Sequence, residues 1–465
     1  CIRDRCNVDN VLFTQSERDD NESQQYPGRQ RSLGADNMRD LAYLKLLSRE
    51  YPNIRAAASD IINLQAICGL PKGTEYFFSD LHGEHEAFIY LLRSSSGIIR
   101  EKIRETFGHI ISEEDEVRLA NLIYYPEKMI NQIKQANEYT EDWQKTAVYR
   151  LVQICREVSS KYTRSKVRKK MPKEFSGVID ELLYVDNTDD NKTEYYSELI
   201  NTLIDVRVAD SFIVVICSLI RSLTIDNLHI LGDIFDRGPR PDIILEELMH
   251  FHDVDIQWGN HDISWMGAAT GNRACICNVL RMALGYNGFD VLEDGYGINL
   301  RPLSMFAERV YRDDPCTCFL PQILDKNIYD AVDPKLAAKM HKAIAVLQYK
   351  EEGQIIKRHP EYGMEERILL SAIRYDRGTV TIDGKEYPMR DMNFPTVDPA
   401  DPLRLTDEEE ELLHTLELSF RHNARLHEHV RFLYSNGSMY KCCNSNLLYH
   451  GCVPMTENRE FDGLM

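Results

Sequence analysis

The chain has 465 residues, with 55 Lys or Arg against 74 Asp or Glu, so its formal net charge is −19. This excess disfavours nucleic acid as a partner, because binding to phosphates requires clustered cations. No segment approaches the ~20 consecutive apolar residues of a membrane span. The 12 cysteines are too few for a disulfide scaffold, and their closest pairs lack the two-residue spacer of zinc ribbons. We therefore expect a cytoplasmic globular protein with free thiols, and either about three domains or one large domain with insertions.

The first 37 residues differ in composition from the rest. Residues 1–37 are polar and lack helical or strand periodicity, which predicts a disordered or non-native tail. From Met38 onward, apolar residues recur every three or four positions and predict two amphipathic helices separated by Pro52. An aromatic run from Thr74 to Ser79 then predicts the first strand. The ordered domain is expected to cover residues 38–465.

A long helical segment precedes a predicted β-α-β unit. Residues from about 90 to 221 have helical periodicity and few glycines. Within them, the basic run Lys161 to Lys173 has two interpretations, a binding site for an anion or a partner and a solvated helix face. The helix face is favoured, because the run is isolated in an acidic chain. Strand patterns at Leu228 to Leu231 and at Val254 to Trp258 flank a helix that begins at Pro241.

The last part of the chain is again mostly helical. A segment at about 265–435 is interrupted by a predicted hairpin from Thr379 to Tyr387 around Asp383-Gly384. The final predicted strand is Leu447 to Tyr449. The sequence thus predicts a few short strands separated by two large helical insertions.

Four predicted strands end at polar residues followed by glycine, where α/β folds place their ligands. Asp80 and His82, two positions apart on an extended backbone, point the same way and can bind one ion together. Asp233 can bridge two cations ~3.5–4 Å apart, and Asn260 offers a neutral carbonyl oxygen. Such ligands suit Mn, Fe, Zn or Mg and exclude a thiolate site. The structural alternative is a tight turn capped by Asp233 beside a buried His261, which would match the motif pattern only by accident. The four motifs are Asp80-Leu81-His82-Gly83, Gly232-Asp233-Ile234-Phe235-Asp236-Arg237-Gly238, Gly259-Asn260-His261-Asp262 and His450-Gly451.

In this order the motifs resemble the signature of calcineurin-like metallophosphoesterases. Asp233 lies 153 positions after Asp80, and His450 lies 189 positions after His261. These long insertions and the sequences around the motifs resemble the class III fructose-1,6-bisphosphatases of bacteria from about Met38 onward. The sequences around the motifs are YFFSDLHGEHEAF, LHILGDIFDRGPRPD, IQWGNHDISWMGAA and NLLYHGCVPM. The resemblance implies an α/β fold, with a metallophosphoesterase β-sandwich flanked by helices and large helical insertions.

The resemblance also implies a two-metal hydroxide mechanism with two divalent ions, for which Mn²⁺ is the first choice. Asp80 and His82 would bind the first ion, Asp233 would bridge both ions, and Asn260 and His450 would bind the second.

Three further residues receive catalytic roles from the resemblance. His261 would protonate the departing sugar alkoxide, Asp236 would orient its imidazole, and Arg237 would bind phosphate oxygens. Alternatively, Arg237 is a surface residue that pairs with Asp236. His85 and Asp262 have weaker claims, and His85 is expected to be a polar neighbour.

The implied activity is removal of the 1-phosphate of fructose 1,6-bisphosphate in gluconeogenesis. The expected partner is thus a small sugar bisphosphate, with neither nucleic acid nor membrane, and a homo-oligomer is compatible with the sequence. Two alternatives remain, a protein or nucleotide phosphatase of the same fold and a truncated, non-catalytic scaffold. The superfamily closes its site with a later Gly-His motif, but the 14 residues after Gly451 contain no His. We therefore expect a C-terminally truncated fragment whose activity needs testing.

Overall fold

The structure, a computed structural model, describes residues 33–108, 110–184, 190–322, 333–382, 384–452 and 455–456. The α-helices of the described residues are α1 (Leu33–Glu50), α2 (Ile54–Cys68), α3 (His85–Ser94), α4 (Ile98–Phe107), α5 (Glu113–Tyr124), α6 (Pro126–Gln135), α7 (Glu141–Ser159), α8 (Arg164–Lys170), α9 (Ser176–Tyr184), α10 (Asp190–Asp205), α11 (Ala209–Thr224), α12 (Pro241–Met249), α13 (Asn260–Ala269), α14 (Arg273–Gly285), α15 (Arg301–Val310), α16 (Pro334–Arg358), α17 (Asp407–Arg421) and α18 (Ala424–Asn436). The strands are β1 (Glu75–Phe78), β2 (Asn227–Ile230), β3 (Val254–Gln257), β4 (Ile373–Arg374), β5 (Thr379–Ile382), β6 (Lys385–Pro388), β7 (Gly437–Ser438), β8 (Tyr440–Cys443) and β9 (Asn446–Tyr449).

The first helix begins earlier than its apolar pattern predicts. Helix α1 starts at Leu33, five residues before Met38, so residues 33–37 are helical. The rest of the predicted tail lies outside the described residues. The apolar pattern cannot locate this start, because Leu33 is the only large apolar residue between positions 33 and 37 and a single residue shows no periodicity.

The chain divides into two compact units, which comprise residues 33–73 with 136–223, and residues 74–135 with 224–456. Within the described residues, the first unit contains helices and no strand. In this unit, cationic side chains of the basic run contact an aspartate and a tyrosine ring of the same unit. Arg168 pairs with Asp180 at 2.7 Å, and the ammonium groups of Lys161 and Lys166 lie over the ring of Tyr162. These contacts favour a structural role for the basic run.

The second unit contains a parallel sheet with strand order β1-β2-β3-β7. Strands β2 and β3 pair in parallel and are connected by α12, as the predicted β-α-β unit requires. Strand β7 could not be predicted, because its two residues, Gly437 and Ser438, are poor strand formers. The parallel sheet and its helices establish the α/β class.

Two small antiparallel sheets accompany the parallel one in this unit. The predicted hairpin forms strands β5 and β6, and β4 adds a third strand to it. Its turn residue Asp383 lies outside the described residues. The predicted strand at Leu447 to Tyr449 is β9, which pairs with β8 instead of joining the parallel sheet. The second layer of the predicted sandwich stays a prediction.

The central strands are buried on both faces. Leu228, Ile230 and Ile256 are fully buried in the main hydrophobic core of this unit. Because side chains alternate along a strand, His229 and Asp255 point to the opposite face, where they are also buried. The carboxyl ends of β1, β2 and β3 meet at one edge of the sheet, which brings the sequence motifs together. Of the helices described, none combines the length and apolarity that crossing a membrane demands.

Candidate metal centre

Backbone hydrogen bonds align the loops that follow β1 and β2. The N–H group of Asp80 donates to the carbonyl of Gly232 at 3.2 Å, and that of His82 donates to the carbonyl of Asp233 at 2.9 Å. The parallel ladder thereby continues beyond the last residues of both strands. The first two sequence motifs are held side by side as a consequence.

Several residues of these loops have a strained backbone. The φ angles are 55° for Asp80, 46° for His82, 53° for Asp233 and 150° for Asp236. L-residues rarely adopt such values, which cost on the order of 1–3 kcal/mol each and concentrate at functional sites. The surrounding hydrogen bonds and packing must stabilise this backbone.

Two glycines allow the closest approaches in the centre. A Cβ atom added to Gly259 would overlap Asp233 Oδ1 and would lie 2.5 Å from the backbone nitrogen of Asp233. A Cβ atom added to Gly83 would lie 2.7 Å from the carbonyl carbon and oxygen of Gly238. Glycine at both positions lets the loops contact each other without a side chain between them.

Asp262 binds four backbone N–H groups from two loops. Its Oδ2 atom accepts hydrogen bonds from the N–H groups of Asp233 and Gly259, both at 2.9 Å. Its Oδ1 atom accepts hydrogen bonds from Ile234 at 2.9 Å and from Phe235 at 3.2 Å. The weak claim given to this residue underestimated it, although its place at the third position of α13, where acidic side chains accept backbone N–H bonds, is a sequence signal.

Asp262 and Asp233 are neighbouring buried carboxylates. Burial raises the pKa of Asp262 to about 6, the backbone N–H groups of Gly259 and Phe235 act in the opposite direction, and the charge of Asp233 raises it further. Burial is the largest of these effects, so the shift chiefly reflects the removal of the carboxyl group from water. A cation bound nearby would offset the charge of the two carboxylates.

Asp80, Asp233 and His450 bring one potential ligand atom each within 4.8 Å of the others. The Nε2 atom of His450 lies 3.2 Å from Asp233 Oδ2. On the other side of the ring, Nδ1 lies 2.7 Å from the carbonyl oxygen of Leu231, a contact that requires the proton on Nδ1. The lone pair is then on Nε2, as in histidines that bind metal ions.

His82 lies among three carboxylates. Its Nε2 atom is 3.6 Å from Asp80 Oδ1 and 3.8 Å from Asp233 Oδ2, and its Nδ1 atom is 3.6 Å from Asp236 Oδ2. The structure thus brings Asp80 and His82 together, but not by the extended backbone expected from their spacing, because both residues lie beyond β1 with positive φ angles. We call Asp80, His82, Asp233 and His450 the strand-end centre.

Two further sequence candidates are the first residues of helices. Asn260 starts α13 with its side chain exposed, and the N–H group of the next residue, His261, donates to Asp233 Oδ1 at 3.2 Å. The ligand role of Asn260 stays a prediction. His85 starts α3, where its N–H group donates to the carbonyl of Gly83 at 2.9 Å.

The three residues with predicted catalytic roles lie together. Asp236 Oδ1 is 3.6 Å from His261 Nδ1, and Asp236 Oδ2 is 3.6 Å from Arg237 Nε. Arg237 Nη2 also lies 3.4 Å from His82 Nδ1, so this guanidinium does more than pair with Asp236. The Oδ1 atom of Asp236 is buried and has no hydrogen-bond partner among the described residues.

The donor set of the strand-end centre fits a divalent cation. It consists of two carboxylates and two imidazoles, which are oxygen and nitrogen ligands that suit Mn, Fe, Zn or Mg. The buried Oδ1 atom of Asp236, which lacks a hydrogen-bond partner among the described residues, is consistent with a site that balances its charge with a cation. These features define an α/β protein with a candidate cation-binding centre at the carboxyl ends of parallel strands.

Comparison with known proteins identifies the family. The profile of the family described as Firmicute fructose-1,6-bisphosphatase matches residues 42–465. The chain therefore belongs to this family.

Curated relatives agree with the family match. The chain is 52% identical over 423 residues to a protein of Clostridium novyi named fructose-1,6-bisphosphatase class 3. Proteins with the same name from Clostridium tetani and Bacteroides fragilis are 53% and 52% identical to it over 422 and 423 residues. Each alignment covers 91% of this chain but only 64% of the relative, so the chain spans less than two thirds of their length. No solved structure matched the chain.

Proposed function

We propose that the protein hydrolyses the 1-phosphate of fructose 1,6-bisphosphate, giving fructose 6-phosphate and phosphate. The observation that carries this proposal is the convergence of Asp80, Asp233 and His450 at one end of the parallel sheet. It occurs in a chain about half identical to proteins named fructose-1,6-bisphosphatase class 3. The chain spans only 64% of the length of these relatives, so the activity in their name is a proposal for this chain.

The proposed cofactor is a pair of divalent ions, with Mn²⁺ as the first candidate. Asp80, His82, Asp233, Asn260 and His450 would hold them, through the oxygen and nitrogen donors described above. When bound, such a pair lowers the pKa of a water molecule and stabilises the charge that develops on a phosphoryl group. The two neighbouring buried carboxylates of Asp233 and Asp262 support the presence of cations.

The remaining roles belong to side chains beside the strand-end centre. His261, with Asp236 3.6 Å from its Nδ1 atom, would donate a proton from its other ring nitrogen to the departing sugar oxygen. Arg237 would bind phosphate oxygens with its exposed N–H groups, because a planar guanidinium matches two oxygens at once. The side chain of Arg237 is 44% exposed, which leaves it accessible to an anion from solvent.

The proposed fold is the metallophosphoesterase β-sandwich. The parallel sheet would form one layer, and the buried polar face of β2 and β3 supports a second layer against it. An experimental structure that covers the second layer would test this part of the proposal.

A phosphate-release assay tests the activity. The purified chain should release phosphate from fructose 1,6-bisphosphate when Mn²⁺ is added, and His261→Gln should lower kcat at least about 100-fold, the usual contribution of a general acid. The matched control is His250→Gln, since His250 is an exposed histidine at the end of α12 and should be dispensable. Cleavage of phosphopeptides or dinucleoside polyphosphates without cleavage of the bisphosphate would refute the substrate assignment.

Metal content separates an enzyme from a scaffold. After loading with Mn²⁺, elemental analysis should find about two manganese ions per chain, and Asp233→Asn should lose them because it removes the proposed bridging carboxylate. A metal-free chain that is inert at every Mn²⁺ concentration would support the scaffold alternative. A chain that binds Mn²⁺ but releases no phosphate from any substrate would contradict the proposed activity.

A further inference from the structure

A second group of metal-binding side chains lies on the polar face of the parallel sheet. Glu75 is the first residue of β1, His229 lies in β2 and Cys443 is the last residue of β8. One ligand atom from each lies within 4.8 Å of the other two, and Cys443 Sγ is 3.8 Å from Glu75 Oε1. We call these three residues the sheet-face cluster. They share no residue with the strand-end centre.

The imidazole of His229 has a buried nitrogen that lacks a partner. His229 is fully buried, and its Nδ1 atom is 2.8 Å from Asp255 Oδ2. Lys441 Nζ lies 2.6 Å from the same carboxylate oxygen, which keeps Asp255 ionised, so the proton of the ring is on Nδ1. The Nε2 atom then has a lone pair, yet it has no hydrogen-bond partner among the described residues. Buried polar atoms are almost always paired, and a bound ion is one of the few explanations for an exception.

The surroundings of His229 fix the direction of this lone pair. Asp255 holds one side of the ring, and the ring of Phe77 stacks on it with 4.9 Å between centroids and 23° between planes. A carboxylate that accepts the Nδ1 proton and leaves Nε2 for a metal ion is the usual outer arrangement of zinc-binding histidines. His229 is therefore oriented as a ligand before any ion is bound.

The other two donors determine which ion fits. Glu75 and Cys443 are both partly buried, and Asn444 donates a hydrogen bond to Glu75 Oε1 at the turn after β8. A thiolate, an imidazole and a carboxylate together form a borderline-soft donor set that suits Zn²⁺. Zinc bonds of about 2.0–2.3 Å place tetrahedral ligands about 3.3–3.8 Å apart, so small side-chain movements would complete the coordination.

We propose that Glu75, His229 and Cys443 bind a Zn²⁺ ion, with Asp255 orienting His229 and one coordination position left for water. The ion would connect the sheet that contains β8 to the sheet that contains β1 and β2. Strand β9 pairs with β8 and leads directly into His450. The zinc site would therefore fasten the hairpin that carries a ligand of the strand-end centre.

Cobalt substitution tests the proposal without any reference to catalysis. The purified, metal-stripped chain should bind Co²⁺ with a thiolate-to-cobalt charge-transfer band, which Zn²⁺ should displace. Because the strand-end centre contains no sulfur, this band distinguishes a cysteine site from the strand-end centre, and the cysteine variants assign it. Cys443→Ser should abolish the band. The matched control is Cys442→Ser. Cys442 is exposed and points to the opposite side of β8 from Cys443, so its substitution should leave the band intact.

Two further variants keep the test decisive if Cys443→Ser does not fold. Glu75→Gln replaces a partly exposed carboxylate at the start of a strand and should weaken Co²⁺ binding at least about 10-fold. Asp255→Asn should weaken it about 10–100-fold while the charge-transfer band itself is retained. Circular dichroism of the metal-free variants verifies folding.

Three results would overturn the proposal. The first is a chain that binds Co²⁺ without a sulfur band, and the second is a band that persists in Cys443→Ser or disappears in Cys442→Ser. The third is an affinity that neither Glu75→Gln nor Asp255→Asn changes. A failure of bisphosphate hydrolysis would leave these spectra unaffected, so the two proposals can fail separately.

Discussion

Replacing Asp262 by alanine should destabilise the second unit strongly, because one carboxylate accepts four backbone N–H groups there. The four donors belong to Asp233, Ile234, Phe235 and Gly259, and the accepting side chain is fully buried. Each buried donor left without an acceptor costs about 1–3 kcal/mol, which gives about 4 kcal/mol at the low end. Relief of the repulsion with Asp233 offsets part of this loss, so we expect a net cost of about 3 kcal/mol or more.

Asp262→Asn should cost about half as much as Asp262→Ala. The carboxamide has one acceptor oxygen instead of two, so it can keep two of the four hydrogen bonds. Urea unfolding in the presence of EDTA measures the differences without a contribution from bound metal. The control is Asp253→Asn, which changes an exposed aspartate just before β3 and should stay within about 0.5 kcal/mol of the unmodified chain.

Hydrogen exchange localises the effect. In Asp262→Ala, the backbone amides of residues 233–235 and 259 should lose protection, since the side chain that binds them is gone. The same amides should remain protected in Asp253→Asn. If Asp262→Ala cost no more than this control, or if the amides kept their protection, the carboxylate would not be what holds the two loops together.

Two further predictions concern close packing and charge. Gly259→Ala should reduce Mn²⁺ affinity at least about 10-fold in a calorimetric titration, because the added methyl group displaces the carboxylate of Asp233, the proposed bridging ligand. Gly177→Ala, where a Cβ meets nothing within 4 Å, should bind normally. Burial alone would raise the pKa of Asp242, but hydrogen bonds from Arg240 and the charge of Arg425 hold it below its usual value. The stability that this carboxylate contributes is present above its unfolded pKa of about 3.9 and is lost as pH falls through the lower folded-state pKa. The stability difference from Asp242→Asn in urea should therefore shrink between about pH 5 and about pH 2, and a difference that is independent of pH would contradict the assignment.

The sequence predicted the strand ends because their signals are local. Apolar runs that stop at Asp80, Asp233 and Asn260 identify both the strands and the chemistry at their ends, and parallel pairing makes these ends coincide. The strand before His450 was also predicted, but its pairing was not. A four-residue strand does not specify its neighbour, and here a two-residue turn at Asn444 pairs it with β8.

Other features could not be predicted because they depend on contacts between distant segments. The sheet-face cluster combines residues 75, 229 and 443, whose spacing matches no local metal-binding pattern. The importance of Asp262 lies in the backbone groups of another loop, which become its neighbours only after the strands have paired. The ten described cysteines form no disulfide with one another, and their spacing could not reveal that Cys443 faces a buried histidine.

The distribution of charge explains how an acidic chain could handle the proposed anionic substrate. With a net charge of −19, the protein repels a sugar bisphosphate at long range, and the buried carboxylates of Asp233 and Asp262 add to that repulsion locally. The same carboxylates attract divalent cations, and backbone hydrogen bonds and close glycine contacts hold them in place before any cation binds. Little reorganisation is then needed when cations bind, and once bound they reverse the sign of the local field where the phosphate must lie. On this reasoning, bisphosphate binding should depend on divalent metal more strongly than on Arg237, the guanidinium beside the centre.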